Sequence, residues 1–100
     1  MARLTPTDRK DQILSAALDA AEATNYMTIT REEIAERAGC SPALVSAYLG
    51  AMDGGVRDEV MRAAVAKRRA RVVAQGLLAQ DAIAQGAPDF LKAKAAAAVV

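Results

Sequence analysis

Between Thr30 and Gly50 the chain carries two helix starts separated by one glycine, a spacing that few small folds satisfy. Thr30 is a favoured N-cap and Glu33 follows three residues later, the pattern of a capping box that satisfies two otherwise orphan amides. Ile34, Ala35 and Ala38 give the helix that follows an apolar stripe. Gly39 stands where the chain must turn with positive φ, which glycine does without steric cost, so this helix stops after about two turns. Ser41 and Pro42 are a favoured N-cap and first helical residue, and they predict a second helix over SPALVSAYL with Val45, Tyr48 and Leu49 inward and Gly50 at its end. Ala35 is small where the two helices cross closely. The pair reads as a helix-turn-helix, a motif whose second helix, in DNA-binding proteins, enters the major groove.

The flanking sequence is helical too. Thr5, Pro6 and Asp8 supply a cap, a first-position proline and a third-position acid, so a helix is expected from there to about Thr24, preceded by a frayed arm over Met1–Leu4. Ile13, Leu14, Ala17, Leu18 and Ala21 form its apolar face. Asn25 tolerates the left-handed conformation that ends a helix, and Tyr26 and Ile29 are placed to plug the gap before the helix-turn-helix. After a break at AMDGG, one long helix is predicted from about Arg57 to about Gln75, with Gly76 as its end and Val60, Met61, Ala64, Val65 and Val72 along one side. Leu77, Leu78, Ala82 and Ile83 continue the apolar pattern until Pro88. The closing DFLKAKAAAAVV is low in complexity and supports only weak helix. The expected division is a helix-turn-helix domain over 1–75 and a helical extension or flexible tail over 76–100.

With 53% apolar residues and three aromatics in 100, and about a quarter of the chain alanine, an all-α fold is expected rather than a sheet. The net charge of +1 conceals a local excess: Arg57 to Arg71 holds six basic and two acidic groups, against five and seven in residues 1–50. One cysteine excludes an internal disulfide, and the absence of histidine removes the commonest metal ligand and general base. No acids are paired for catalysis, and Gly54-Gly55 lacks the strand and lysine of a phosphate loop. No cofactor and no enzymatic activity are expected. The N-terminus lacks a signal-peptide core and no run reaches the ~18 apolar residues of a membrane span, so a cytoplasmic setting without membrane association is expected.

The segment ILSAALDAAEATNYMTITREEIAERAGCS resembles the N-terminal DNA-binding region of TetR-type repressors. The likeness is carried by Ile13-Leu14-x-Ala16-Ala17-Leu18, Tyr26, the Thr30 cap, Ile34-Ala35-Glu36-Arg37-Ala38-Gly39 and Ser41. The second helix departs from that family, whose aromatic-rich ending is here Val45-Ser46-Ala47-Tyr48-Leu49, whose following lysine is Met52, and which lacks Gly54-Gly55. The motif is also similar to the helix-turn-helix of Cro-type and lactose-repressor-type proteins. The resemblance implies sequence-specific binding of double-stranded DNA and transcriptional regulation. With too few residues left for an inducer domain, it implies a small dimeric repressor, of the kind phages and mobile elements encode, without a small-molecule inducer.

For contact with DNA the outward positions of the second helix are Ser41, Pro42, Ala43, Ser46 and Ala47, where small side chains admit close approach to the bases. Ala43, Leu44 and Ala47 suit thymine methyl groups. Thr30 and Ser41, at helix starts, suit phosphate, as does Arg31 in the first turn. Tyr48 fits either the core or a phosphate contact. Cys40 fits a small apolar position. Arg37 is spaced to pair with Glu33. Arg3, Arg9 and Lys10 form a basic N-terminal arm or a solvated end. Lys67, Arg68, Arg69 and Arg71 form the densest basic cluster, suited to phosphate or to solvent, and beside them Val65, Val72, Val73, Leu77 and Leu78 suit a dimer seam. Two other functions fit the same residues: the DNA-recognition subunit of a larger assembly such as a phage small terminase, and a protein-interaction module.

Overall fold

In a computed structural model of the protein, which describes residues 5–50 and 55–98, the fold is all-α. The helices are α1 (Pro6–Ala23), α2 (Arg31–Ala38), α3 (Pro42–Leu49), α4 (Arg57–Ala66), α5 (Ala70–Leu78), α6 (Ala82–Gln85) and α7 (Asp89–Ala98), with no strand among the described residues. The expected arm over Met1–Leu4, with Arg3, and most of the AMDGG break, with Met52 and Gly54, lie outside the described residues.

Helices α1 to α3 follow the local signals closely. The Thr5 hydroxyl accepts the Asp8 amide while the Asp8 carboxylate accepts that of Thr5, a complete capping box. At α2 the box is only half made: Thr30 Oγ1 accepts the Glu33 amide at 3.1 Å, but the Glu33 carboxylate takes the Thr30 hydroxyl proton at 3.2 Å rather than the Thr30 amide. The expected Glu33–Arg37 ion pair is not formed. Gly39 lies at φ 71°, with the Cys40 amide bonded to the Ala35 carbonyl and the Gly39 amide to that of Glu36, the paired bonds of a Schellman ending. Asn25 does not take the left-handed conformation expected of it; its side chain instead accepts the Met27 amide and turns the connector.

The core runs through all of these helices. Ile13, Leu14, Ala17, Leu18 and Ala21 of α1 are buried with Ile34, Ala35 and Ala38 of α2 and Val45 and Leu49 of α3. Tyr26 and Ile29 are buried as plugs, and Val60, Met61 and Ala64 present the inner face of α4.

After α4 the chain departs from expectation. The long helix predicted from Arg57 to Gln75 is broken at Lys67–Arg69, where Arg68 adopts φ 57° and the amides of Arg69 and Arg68 bond the carbonyls of Ala64 and Val65. The break is a second Schellman ending, made without glycine. It turns α5 back so that Val72, Val73 and Ala74 enter the core. Gly76 does not end the helix either: α5 continues to Leu78, and Gly76 packs against Met61 of α4 and Ala84 of α6, where a Cβ has no room. The expected boundary at 75/76 therefore falls inside a helix.

A third Schellman ending, with Gln80 at φ 58°, leads to Asp81, whose carboxylate caps α6 through the amides of Ile83 and Ala84. The C-terminal segment, read from sequence as weak helix, forms α7 and packs on α5 through Leu91 and Ala95, one helical turn apart. Its alanines and lysines favour helix, and burial of Leu91 and Ala95 fixes that helix against α5.

Candidate nucleic-acid interface

The outward face of α3 is built by elimination. Val45 and Leu49 are buried, so the opposite side of this two-turn helix is centred on Ala47 and Ala43, which are exposed, with Leu44 and Ser46 half-buried at its edges. Ser41 and Pro42 are exposed at its start, and Ser41 Oγ accepts the Leu44 amide at 3.3 Å. That cap uses an oxygen lone pair and leaves the Ser41 hydroxyl proton free for a phosphate oxygen. The Thr30 hydroxyl proton is already directed at Glu33, so a phosphate must displace the carboxylate to receive it. Tyr48 is half-buried against the core.

Arg31 supplies what α3 lacks. From the first turn of α2 its guanidinium Nη1 donates to Ser46 Oγ at 2.8 Å. A charged, five-donor group thus lies across the edge of an otherwise uncharged face. Only one of its donors is engaged by Ser46, and the rest are available to phosphate or to a base edge. The structure therefore brings together Arg31, Ser46 and the small residues of α3.

The basic cluster is dispersed. Lys67 Nζ donates to Ser15 Oγ of α1 at 3.0 Å, and the Arg68 guanidinium lies 5.0 Å from the centre of the Phe90 ring in α7. Arg69 is not a free cation: it bridges Asp19 and Glu22 of α1, each at 2.7 Å, and these two charge-assisted bonds raise its already high pKa further. Lys10 of the expected basic arm pairs with Glu59 of α4 at 3.4 Å. None of these cations contacts α3. The opposite side of α2 carries exposed Glu33 and Glu36, which line a shallow depression with Arg37 and disfavour phosphate there.

The expected dimer seam is also changed. Val72 and Val73 are fully buried within the chain and Val65 and Leu77 are half-buried against its core, leaving Leu78 exposed. Cys40 is half-buried with Sγ 3.6 Å from the Ser41 carbonyl, and no cluster of metal-ligating side chains occurs among the described residues. No described helix is long and apolar enough to cross a membrane.

The polar ties that hold the end of α1 and the connector before α2 are not legible in the sequence. Gln75 of α5 donates to the Ala21 carbonyl at 2.8 Å and accepts the Tyr26 amide at 2.9 Å, clamping the end of α1 to the connector. The Tyr26 hydroxyl donates to Asp81 at 2.9 Å, and Arg57 donates to the Met27 carbonyl at 3.0 Å. Burial first, then the bond to Asp81 and its negative charge, push the Tyr26 phenol well above its ordinary pKa. All three ties cross 30 or more residues of sequence and leave no periodic signal. No known protein family, characterised protein or solved structure matches the chain.

Proposed function

We propose that this protein binds double-stranded DNA through the α2–turn–α3 unit and acts as a small transcriptional repressor, as a dimer that occludes a promoter. The observation that carries the reading is the Arg31–Ser46 contact at the edge of α3's small, outward face. Ala43 and Ala47 permit the helix backbone to approach base edges closely, and Leu44 adds apolar surface for thymine methyl groups. Charge for the encounter comes from Arg31, and hydrogen bonds to phosphate from Ser41 and the amides at the two helix starts. Lys67 and Arg68 would contribute to affinity only by leaving Ser15 and Phe90.

Selection of binding sites from a random duplex pool, followed by titration of a recovered site at several salt concentrations, tests the proposal. Replacing Ser46 and Ala47 together by Glu is expected to abolish specific binding with the helical circular-dichroism spectrum unchanged. Retained binding would show that α3 is not the reading element. Replacing Lys67 and Arg68 by Ala is expected to leave the salt slope within about one unit of the parent, and a larger fall would place them on phosphate. Absence of any binding at ~50 mM salt would overturn the proposal, since phosphate contacts are strongest there.

A further inference from the structure

The α4–α5 junction is where local preference and tertiary structure disagree. Arg68 holds a left-handed conformation that crowds any L side chain, at a position where such turns usually carry glycine. The residues around it, Ala66, Lys67, Arg69, Ala70 and Arg71, are all good helix formers, with no glycine, proline or β-branched side chain among them. Left to its local preference, this stretch would continue α4 into α5 without a turn.

What holds the turn is remote from it in sequence or sits just beyond it. Arg69 bonds Asp19 and Glu22, Gln75 bonds the Ala21 carbonyl and the Tyr26 amide, Asp81 accepts from Tyr26, and Gly76 sits against Met61. Each of these contacts joins a residue after Arg68 to one before it. Those of Gln75, Gly76 and Asp81, which lie beyond the turn, can be made equally well between two chains, and the opposite charges of Arg69 and of Asp19 and Glu22 attract in either arrangement.

We infer that α5–α7 is exchanged between two copies of this chain, with residues 67–69 as the hinge. In the exchanged dimer the hinge is helical, α4 and α5 form one continuous helix, and α5–α7 of one copy covers α1 and α4 of the other. Straightening relieves two left-handed arginines and adds helix hydrogen bonds, while the core surface covered by α5–α7 is covered again by the partner's; loss of the Arg68–Phe90 contact and association entropy oppose it. The partner is a second copy because the uncovered surface, with its Asp19, Glu22, Tyr26 and Met61, is complementary to the segment that covered it. A dimer formed by simple face-to-face docking has little to use after the hinge: among the described residues there the large exposed apolar side chains are Leu78, 72% exposed, and Phe90, 49% exposed and overlain by Arg68. Two side chains fall well short of the ~800 Å² per partner of a stable interface. The exchange does not depend on the DNA reading.

Paired charge reversal tests it on the full chain. R69E and D19K/E22K each place like charges together when α5 packs on its own α1. In an exchanged heterodimer of the two, every one of these pairs is matched. Co-refolding the variants and weighing the products by native mass spectrometry is expected to give heterodimer over either homodimer by roughly tenfold or more. Monomers only, or dimers in statistical proportion, would refute exchange. Should a charge variant fail to fold, Arg68 decides: R68A favours the straight helix and R68G the turn, and both remove the Phe90 contact equally. By sedimentation equilibrium after refolding at high concentration, R68A is expected to dimerise at least roughly tenfold more tightly than R68G, because the hinge enters twice per dimer. Equal dimerisation, or none in both, would overturn the proposal.

Discussion

Replacing Gly76 by Ala separates what helix propensity demands from what packing demands, because the two give opposite signs. Gly76 lies inside α5, where Ala is preferred by about 1 kcal/mol on propensity alone. A Cβ at that position, however, would fall 2.5 Å from Met61 Cε and 2.6 Å from Ala84 Cβ. Carbon pairs sit at about 3.5–4.0 Å, so both neighbours must move by about an ångström. Met61 Cε ends a flexible side chain, but that side chain is fully buried, and Ala84 Cβ can move only with the α6 backbone. Overpacking of this kind costs about 1–3 kcal/mol; with a value near the upper end and the propensity gain subtracted, a net loss of about 1–2 kcal/mol is expected. For a domain of this size that corresponds to a fall in Tm of roughly 4–16 °C. Urea and thermal unfolding followed at 222 nm measure it. The second substitution Ala84→Gly removes the rigid contact and is expected to recover part of the loss, although α6 weakens. Stabilisation of Gly76→Ala by about 1 kcal/mol would mean that α5 does not approach α4 and α6 this closely.

Other perturbations report on the turns and the buried phenol. Gln80 is exposed and left-handed, so Gln80→Gly is expected to raise stability by about 1 kcal/mol in urea unfolding; a decrease would mean that the turn is not strained. Tyr26 is an acid whose pKa in the folded chain exceeds its unfolded value of about 10, so its contribution is complete below pH 10 and is lost above it, as the unfolded chain ionises first. In a Tyr48→Phe background, tyrosinate absorbance is therefore expected to rise together with loss of helix. Tyrosinate forming well before unfolding would contradict the burial. Tyr26→Phe is expected to flatten the alkaline decline while costing about 1 kcal/mol at neutral pH for the bond lost to Asp81.

The all-α fold and the course of α1 to α3 were legible residue by residue. The caps at Thr5, Thr30 and Ser41, the turn at Gly39 and the stripe from Ile13 to Ala21 act over three to five residues, the range in which a chain's own hydrogen bonds and periodicity operate. The same locality made the outward positions of α3 readable, since burial of Val45 and Leu49 assigns the remaining side. The link from Arg31 to Ser46 was not readable, because it depends on the angle at which two helices cross.

Beyond α4, local rules pointed the wrong way. Helix formers around Arg68 spoke for a straight helix and Gly76 for a helix end, yet the chain turns at the arginine and passes through the glycine. The alanine-rich tail is helical as its composition favours, but what holds α7 in place is the burial of Leu91 and Ala95 against α5. By itself the sequence determined the helical class, the two-helix unit and its uncharged outer face, because caps, turns and apolar periodicity are short-range. The tertiary structure alone decided where α4 ends, which arginines are free and what covers Val72 and Val73. Burial of apolar area and pairing of remote charges outweigh the smaller cost of a left-handed residue at a single turn.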